Sequence, residues 1–310
     1  MSETVDVIIP VYRPDEKLNR LIDRLNRQTI QPEHIFFMQT LTGTPEDETV
    51  RKCLEKAKKG QIYTLEKKDF DHGGTRNCGA AMSKADYMLF MTQDAVPVDD
   101  DLIENLMRAM EPQTVATAYG RQLAGDDVGV IERYTRQFNY PDQSSRKSGK
   151  DLERLGIKTF FCSNVCAMYK RKIYEEMGGF VLHTIFNEDM IMAASVIDAG
   201  YEIAYVAEAQ VVHAHKYTYR QQFTRNFDLA VSQRQYRRIF DRVKSESEGI
   251  RMVKQTARYL IGSGKWYLIP DLIIQSGCKF LGFRLGKCYD RLPMWLVRAC
   301  SMNKAYWKSV

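Results

Sequence analysis

Three groups of residues have the types and spacing to do chemistry. The first is Thr92-Gln93-Asp94-Ala95-Val96-Pro97, which follows the apolar run Tyr87 to Met91. An aspartate just past a buried strand is either a turn former or a ligand. The second is Asn187-Glu188-Asp189, which opens a helical pattern after Gly178-Gly179-Phe180. Two adjacent carboxylates there either cap the helix and complement its dipole or belong to a site. The third is Val211-Val212-His213-Ala214-His215, where His213 and His215 share a face because alternate strand residues point the same way. A carboxylate, an imidazole and a diphosphate make a shell for a divalent cation, whereas two strand histidines without partners more often pack or hydrogen-bond.

The elements that must hold these groups read as short β-rich runs alternating with helical patterns, the signature of a sheet built from βαβ units. Residues 4–10 (TVDVIIP) form a strand. Leu18, Leu21, Ile22 and Leu25 recur at i, i+3, i+4 and i+7, which predicts a helix starting after Pro14 and ending near Gln28. Residues 34–39 and 61–65 are the next strands, with a helix marked by Val50, Leu54 and Ala57 between them. Residues 73–84 read as a helix opened by glycines and residues 86–92 (DYMLFMT) as a buried strand. Such sheets bind ligands beyond the carboxyl ends of their strands, which singles out residues 10–13, 39–44 and 92–97. Residues 125–156 are polar and read as a long mobile loop at the site. Residues 160–169 return to strand, Met190, Ala193, Ala194 and Ile197 mark a helix ended by Gly200, and residues 209–213 are the last strand. From Tyr217 onward the pattern is helical.

With 310 residues, 44% apolar and 27% charged, the chain can bury one principal core, and disorder is excluded as its general state. Seven cysteines at irregular spacings, with no CxxC pair, argue against a disulfide framework or a structural zinc site and for a reducing cytosol. Cys162 and Cys166, read as lying in one strand, would be about 13 Å apart at ~3.3 Å per residue, too far for a disulfide. The acidic start is neither a signal peptide nor an anchor, and no apolar run is long enough to span a membrane.

Net charge is +6, but residues 217–310 hold 18 Lys/Arg against 6 Asp/Glu, while residues 1–216 hold 27 against 33. In the basic tail Trp266, Tyr267, Leu268, Ile273 and Phe280 are interleaved with Lys265, Lys279 and Arg284, the mixture of an interfacial amphipathic helix pair. No nucleic-acid-binding motif accompanies it. The expected partner is therefore an anionic membrane surface and not nucleic acid. A helical bundle whose apolar face joins copies of the chain into a homo-oligomer is the other reading.

The order of parts, VDVIIPVYRP, HGGTRNCGAA, TQDAVP, Gly-Gly-Phe followed by NEDM, and VVHAHKYT, resembles the inverting GT-A glycosyltransferases of family 2. Within that family, residues 70–77 and 93–97 look like the F-D-H-G-G-T-R-N and Q-D-A-x-P signatures of bacterial rhamnosyltransferases. The resemblance runs from residue 4 to about residue 220. It implies an α/β fold, a GT-A, Rossmann-like mixed sheet that binds a nucleotide sugar and carries helices on both faces, over residues 1–216. Residues 217–310 would be a basic helical extension.

The resemblance also implies roles. Pro10, Val11, Tyr12 and Arg13 would form the first nucleotide-contacting loop, with Tyr12 near the base. Thr40 and Thr42 stand where the family has Asp or Ser. His72 to Asn77 would face the sugar diphosphate, since Gly74 permits close backbone approach and Arg76 can pair with phosphate; a glycine-started helix with a surface arginine is the plainer alternative. Asp69 and Asp71 would touch sugar hydroxyls or the base. Gln93 and Asp94 match the family's D-x-D, whose first Asp is Thr92 here, so Asp94 would hold Mg²⁺ or Mn²⁺ with His213, ahead of His215. Asp189, with Glu188 beside it, would be the base that takes the acceptor hydroxyl's proton as the diphosphate leaves. Ser163 or Asn164 would touch substrate. The implied reaction moves L-rhamnose from dTDP-L-rhamnose to a lipid-linked glycan, in the cytoplasm on the inner face of the cell membrane. Transfer of another hexose from a UDP-sugar and an inactive nucleotide-binding scaffold, the latter suggested by Thr92, are the alternatives.

Overall fold

Continuous apolar runs give strands buried on both faces. In the first strand Val7 and Ile9 turn to one core with Leu18, Leu21 and Ile22, while Ile8 turns to a second core with Met88, Phe90 and Tyr169. The computed structural model describes residues 3–125, 128–243 and 246–308. The chain opens with β1 (Val5–Val11), α1 (Lys17–Leu25), β2 (Ile35–Thr40), α2 (Glu46–Leu54), β3 (Gly60–Leu65), α3 (His72–Met82) and β4 (Tyr87–Met91). It continues through β5 (Val96–Pro97), α4 (Leu102–Ala109), β6 (Val115–Leu123), α5 (Val130–Asn139), β7 (Ser145–Lys147) and α6 (Leu152–Leu155). β8 (Cys166–Lys170), α7 (Arg171–Glu176), α8 (Glu188–Asp198) and β9 (Glu202–Val212) complete the body.

The sheet is mixed and runs β3-β2-β1-β4-β8-β6-β9-β5, with β7 paired to β9. β1, β2, β3 and β4 pair in parallel, whereas β8 is antiparallel to both β4 and β6. The β6–β9 ladder shifts register between Gly120 and Arg121. A Cβ at Gly120 would stand 2.6 Å from the Ala209 carbonyl oxygen, so only glycine lets β9 bulge there.

The tail forms α9 (Tyr219–Gln235), α10 (Arg237–Phe240), α11 (Glu246–Gly262), α12 (Ile269–Gly286) and α13 (Met294–Cys300). α9 is bonded into the body: Ser232 Oγ donates to the Phe186 carbonyl at 2.6 Å and Asn187 Nδ2 to that of Leu229 at 3.1 Å. Phe227, Val231, Val297 and Trp307 share a cluster with Ile185.

Two expectations are corrected. Residues 125–156, read as one loop, contain α5, β7 and α6, apart from residues 126 and 127, which lie outside the described part. α5 is held through aromatic contacts that polar composition hides: Tyr134 stacks on Tyr259 at 4.3 Å, and Phe138 lies under Lys158 and Arg251. Residues 160–169, read as one strand, are extended in the sheet only from Cys166, and residues 156–160 form a 3₁₀ turn. Cys162 therefore lies in a connecting segment and not in β8; both cysteines are buried and free.

Candidate active site

Strand register brings the first and third groups together. Val96 pairs with Val212 and Pro97 with Val211, so the turn before β5 meets the residues leaving β9. Asp94 Oδ2 lies 3.6 Å from His213 Nε2 and 3.4 Å from His215 Nε2. One ligand atom from each of the three falls within 4.8 Å of the others, the one such cluster of three among the described residues. Burial, with the neighbouring His215 next, holds His213 well below the usual imidazole range; burial also lowers His215, with Asp94 opposing. Neutral rings keep a lone pair, and one carboxylate with two imidazoles is a donor set that fits a divalent cation. His215 Nε2 thus lies as near to Asp94 as His213 Nε2 does.

Asn187 adopts a left-handed conformation (φ 66°) immediately before α8 and turns the two carboxylates inward. Glu188 pairs with Arg76 at 3.2 Å, both side chains nearly buried. Asp189 is held by backbone N–H groups, from Met190 at 2.7 Å and Asn164 at 3.4 Å. Burial, and then the charge of Glu188, pushes the Asp189 carboxyl up to about 7. The two adjacent acids thus differ in surroundings: Glu188 is paired with an arginine, and Asp189 has no cationic partner within bonding distance among the described residues.

The start of the glycine-opened helix is closely bonded within the fold. Asp71 caps α3, accepting from the Gly74 N–H at 2.6 Å and the His183 N–H at 3.0 Å. Gly73 lies directly against the Val181 carbonyl, leaving no room for a Cβ. Asn77 donates to the Phe180 carbonyl at 2.8 Å and accepts from the Phe180 N–H at 2.9 Å. Gly179, at φ +74°, would place a Cβ 2.9 Å from Asn77 Oδ1. The HGGTRN and Gly-Gly-Phe motifs therefore clasp one another. Asp71 and Gly74 bond each other, and Arg76, 6% exposed, donates to the His72 carbonyl at 2.8 Å besides Glu188, so it is not the surface arginine of the plainer alternative.

The loop after β1 is pinned by Gln93, whose Oε1 accepts from the Tyr12 N–H at 2.7 Å and whose Nε2 donates to the Tyr12 carbonyl at 2.9 Å. Arg13 follows at φ 44°, and its guanidinium and the Lys67 ammonium lie 5.5 and 5.6 Å from the Tyr12 ring centre. Beside it a cavity of about 640 Å³ is lined by Val11, Arg13, Gln39, Thr40, Thr42 and Asp47, among others. Gln39 Oε1 and Thr40 Oγ1 are buried there without a partner among the described residues. Pro10 is paired with Met38 in the sheet and is not part of that lining.

Sequence reasoning missed Gln122, Arg136 and Asp47. Asp47 accepts from the Thr42 N–H, the Thr42 hydroxyl and the Gly43 N–H, which hold it below the usual carboxylate range. Its acidic neighbours in a surface helix conceal it. Gln122, which lies against His213 and accepts from Arg136, is aligned with β9 beyond the register shift after Gly120, which leaves no spacing signal.

The acids and imidazoles of this mixed α/β sheet are gathered at its strand ends, where such sheets bind their ligands. The family described as "Glycosyl transferase family 2" matches residues 6–178, and the chain belongs to it. It is a glycosyltransferase. The chain is 39% identical over 310 residues to the O-antigen chain rhamnosyltransferase RfbN of Salmonella typhimurium, covering 99% of this chain and 96% of that one. It is 36% identical over 309 residues to the O-antigen chain rhamnosyltransferase WbaN of Salmonella anatum, covering 98% and 96%. Among solved structures, the mannosyltransferase PcManGT of Pyrobaculum calidifontis, in complex with GDP-Man and Mn²⁺, superposes with a TM-score of 0.57 at 14% identity, covering 100% of this chain and 86% of that one. Residues 1–349 of S. aureus TarS, in complex with UDP-GlcNAc, give 0.54 at 12% identity, covering 93% and 91%. At those identities the likeness is one of fold.

Proposed function

We propose that the chain is an inverting rhamnosyltransferase that moves L-rhamnose from dTDP-L-rhamnose to a lipid-linked precursor of the O-antigen type. Two relatives of nearly equal length and named for that chemistry support the sugar. The observation that carries the mechanism is the inward Asp189 carboxyl, raised to about 7. A base of that strength can take the acceptor hydroxyl's proton while the hydroxyl oxygen bonds the anomeric carbon and the bond to the diphosphate breaks. Glu188, held by Arg76, keeps Asp189 basic by its charge. Asp94, His213 and His215 would hold Mg²⁺ or Mn²⁺, which when bound offsets charge on the departing diphosphate. Gln93 holds the Tyr12 loop, and the cavity at Thr40 would take the base.

Residues 217–310 would rest on the anionic inner surface of the membrane. No helix among the described residues is long and apolar enough to cross one. On α12, however, Ile273, Ile274, Phe280 and Leu281 share one exposed face, and Trp266 and Trp295 are 68% and 71% exposed. Apolar and aromatic groups set among an excess of lysine and arginine suit the headgroup boundary.

Nucleoside diphosphate release and sugar transfer, measured over a panel of dTDP-L-rhamnose and UDP-hexoses, test the reading. Metal-dependent turnover of dTDP-L-rhamnose is expected, lost in Asp94→Ala and reduced roughly 10²–10⁴-fold in Asp189→Asn. Full activity in Asp189→Asn would remove that residue as the base.

A further inference from the structure

Gln122 stands opposite Val211 in the β6–β9 ladder, 2% exposed, and its amide has three partners. Oε1 lies 3.0 Å from His213 Nδ1 and also takes a short hydrogen bond from Arg136 Nη1. Nε2 donates to Ser163 Oγ at 3.0 Å. Arg136 is itself anchored one turn back on α5, where its Nε donates to Glu132 at 3.0 Å.

These contacts decide a proton position. A guanidinium has donors only, so the amide atom facing Arg136 is the oxygen. The ring nitrogen facing that same oxygen must then carry hydrogen. With Nδ1 holding its hydrogen toward Gln122, the nitrogen left to ligate a cation is Nε2, the one turned toward Asp94. The opposite end of the amide fixes Ser163, and the next residue, Asn164, offers its N–H to Asp189.

We propose that Gln122, oriented by Arg136, is a positioning residue: it sets His213 as an Nε2 donor toward a divalent cation and ties that histidine to the segment bonded to Asp189. The cation half rests on the reading of Asp94, His213 and His215 given above. The tautomer half stands on hydrogen bonding alone.

Nitrogen-15 labelling of the five histidines, with His213 assigned by its loss in His213→Gln, reads the tautomer in metal-free protein. Mn²⁺ affinity in the presence of dTDP is read separately by electron paramagnetic resonance. The wild type should show His213 as Nδ1–H. Gln122→Met, which offers no amide oxygen, should lose that preference and bind Mn²⁺ roughly 10–100-fold more weakly. Gln122→Glu keeps the acceptor for Arg136 and His213 and loses only the donor to Ser163, so it should retain the Nδ1–H form and bind Mn²⁺ more tightly than Gln122→Met. His213 found as Nε2–H in the wild type, or Gln122→Met leaving tautomer and affinity unchanged, would overturn the proposal. A wild type that shows Nδ1–H but binds no Mn²⁺ would overturn the cation half while the tautomer assignment stands.

Discussion

Asp189 is where pH should act most strongly on both activity and stability. Its carboxyl is lifted from 3.8 to about 7, first by burial and then by Glu188. If it accepts the proton of the attacking hydroxyl, only the ionised form works, and kcat/KM should fall to roughly a tenth of its plateau one pH unit below that value. Stability should run the other way. A carboxyl whose folded pKa is raised contributes stability fully below its unfolded pKa and loses it as pH rises through the folded pKa. The rise from 3.8 to about 7 corresponds to on the order of 4 kcal/mol. Asp189→Asn, which cannot ionise, should therefore resist urea better than the wild type at about pH 8.5 and show little advantage near pH 4.5. Glu188→Gln removes the second cause and should move the acid limb of the rate profile to lower pH. Transfer rates across the pH range, paired with urea unfolding of the same variants, make the assay. An acid limb in the ordinary carboxylate range, unmoved by Glu188→Gln and accompanied by no pH-dependent stability gain in Asp189→Asn, would refute the reasoning.

Other consequences can be measured independently. Two imidazoles beside a single carboxylate favour Mn²⁺ over Mg²⁺, so Mn²⁺ should support turnover at lower concentration, as a metal titration will read. Gly120→Val must push the Ala209 carbonyl from its place 2.6 Å away, and should lower stability by about 1–3 kcal/mol in urea unfolding. Replacing Ile273, Phe280 and Leu281 by serine should abolish sedimentation with anionic vesicles while leaving hydrolysis of the donor intact; unchanged sedimentation would assign that face to contact between copies of the chain instead.

β1, β2 and β4 were legible because parallel strands covered on both faces are written as largely apolar runs, as in Tyr87–Met91, whereas β3, at the sheet edge and half-exposed, showed only through Ile62, Tyr63 and Thr64. Asp94 and the two histidines were legible as separate candidates, but their meeting depends on the pairing of β5 with β9, a contact made by a strand of two residues that carries no periodic signal. The HGGTRN segment was legible only in part. Glycines and an arginine at a helix start suit a phosphate, and the sequence alone does not disclose that Asp71 fills the cap or that Glu188 claims the arginine. Residues 125–156 misled because α5 is held by aromatic contacts to α11 and to Lys158, so its polar composition reads as loop.

Transfer of a rhamnosyl group with inversion is the step that defines the proposed activity. Incubation of the purified chain with dTDP-L-rhamnose, Mn²⁺ and a lipid-linked glycan, followed by NMR of the new linkage, tests it most directly. The account predicts a rhamnosyl residue whose anomeric configuration is opposite to that in the donor. Retained configuration, or transfer from a UDP-hexose with dTDP-L-rhamnose left intact, would contradict it.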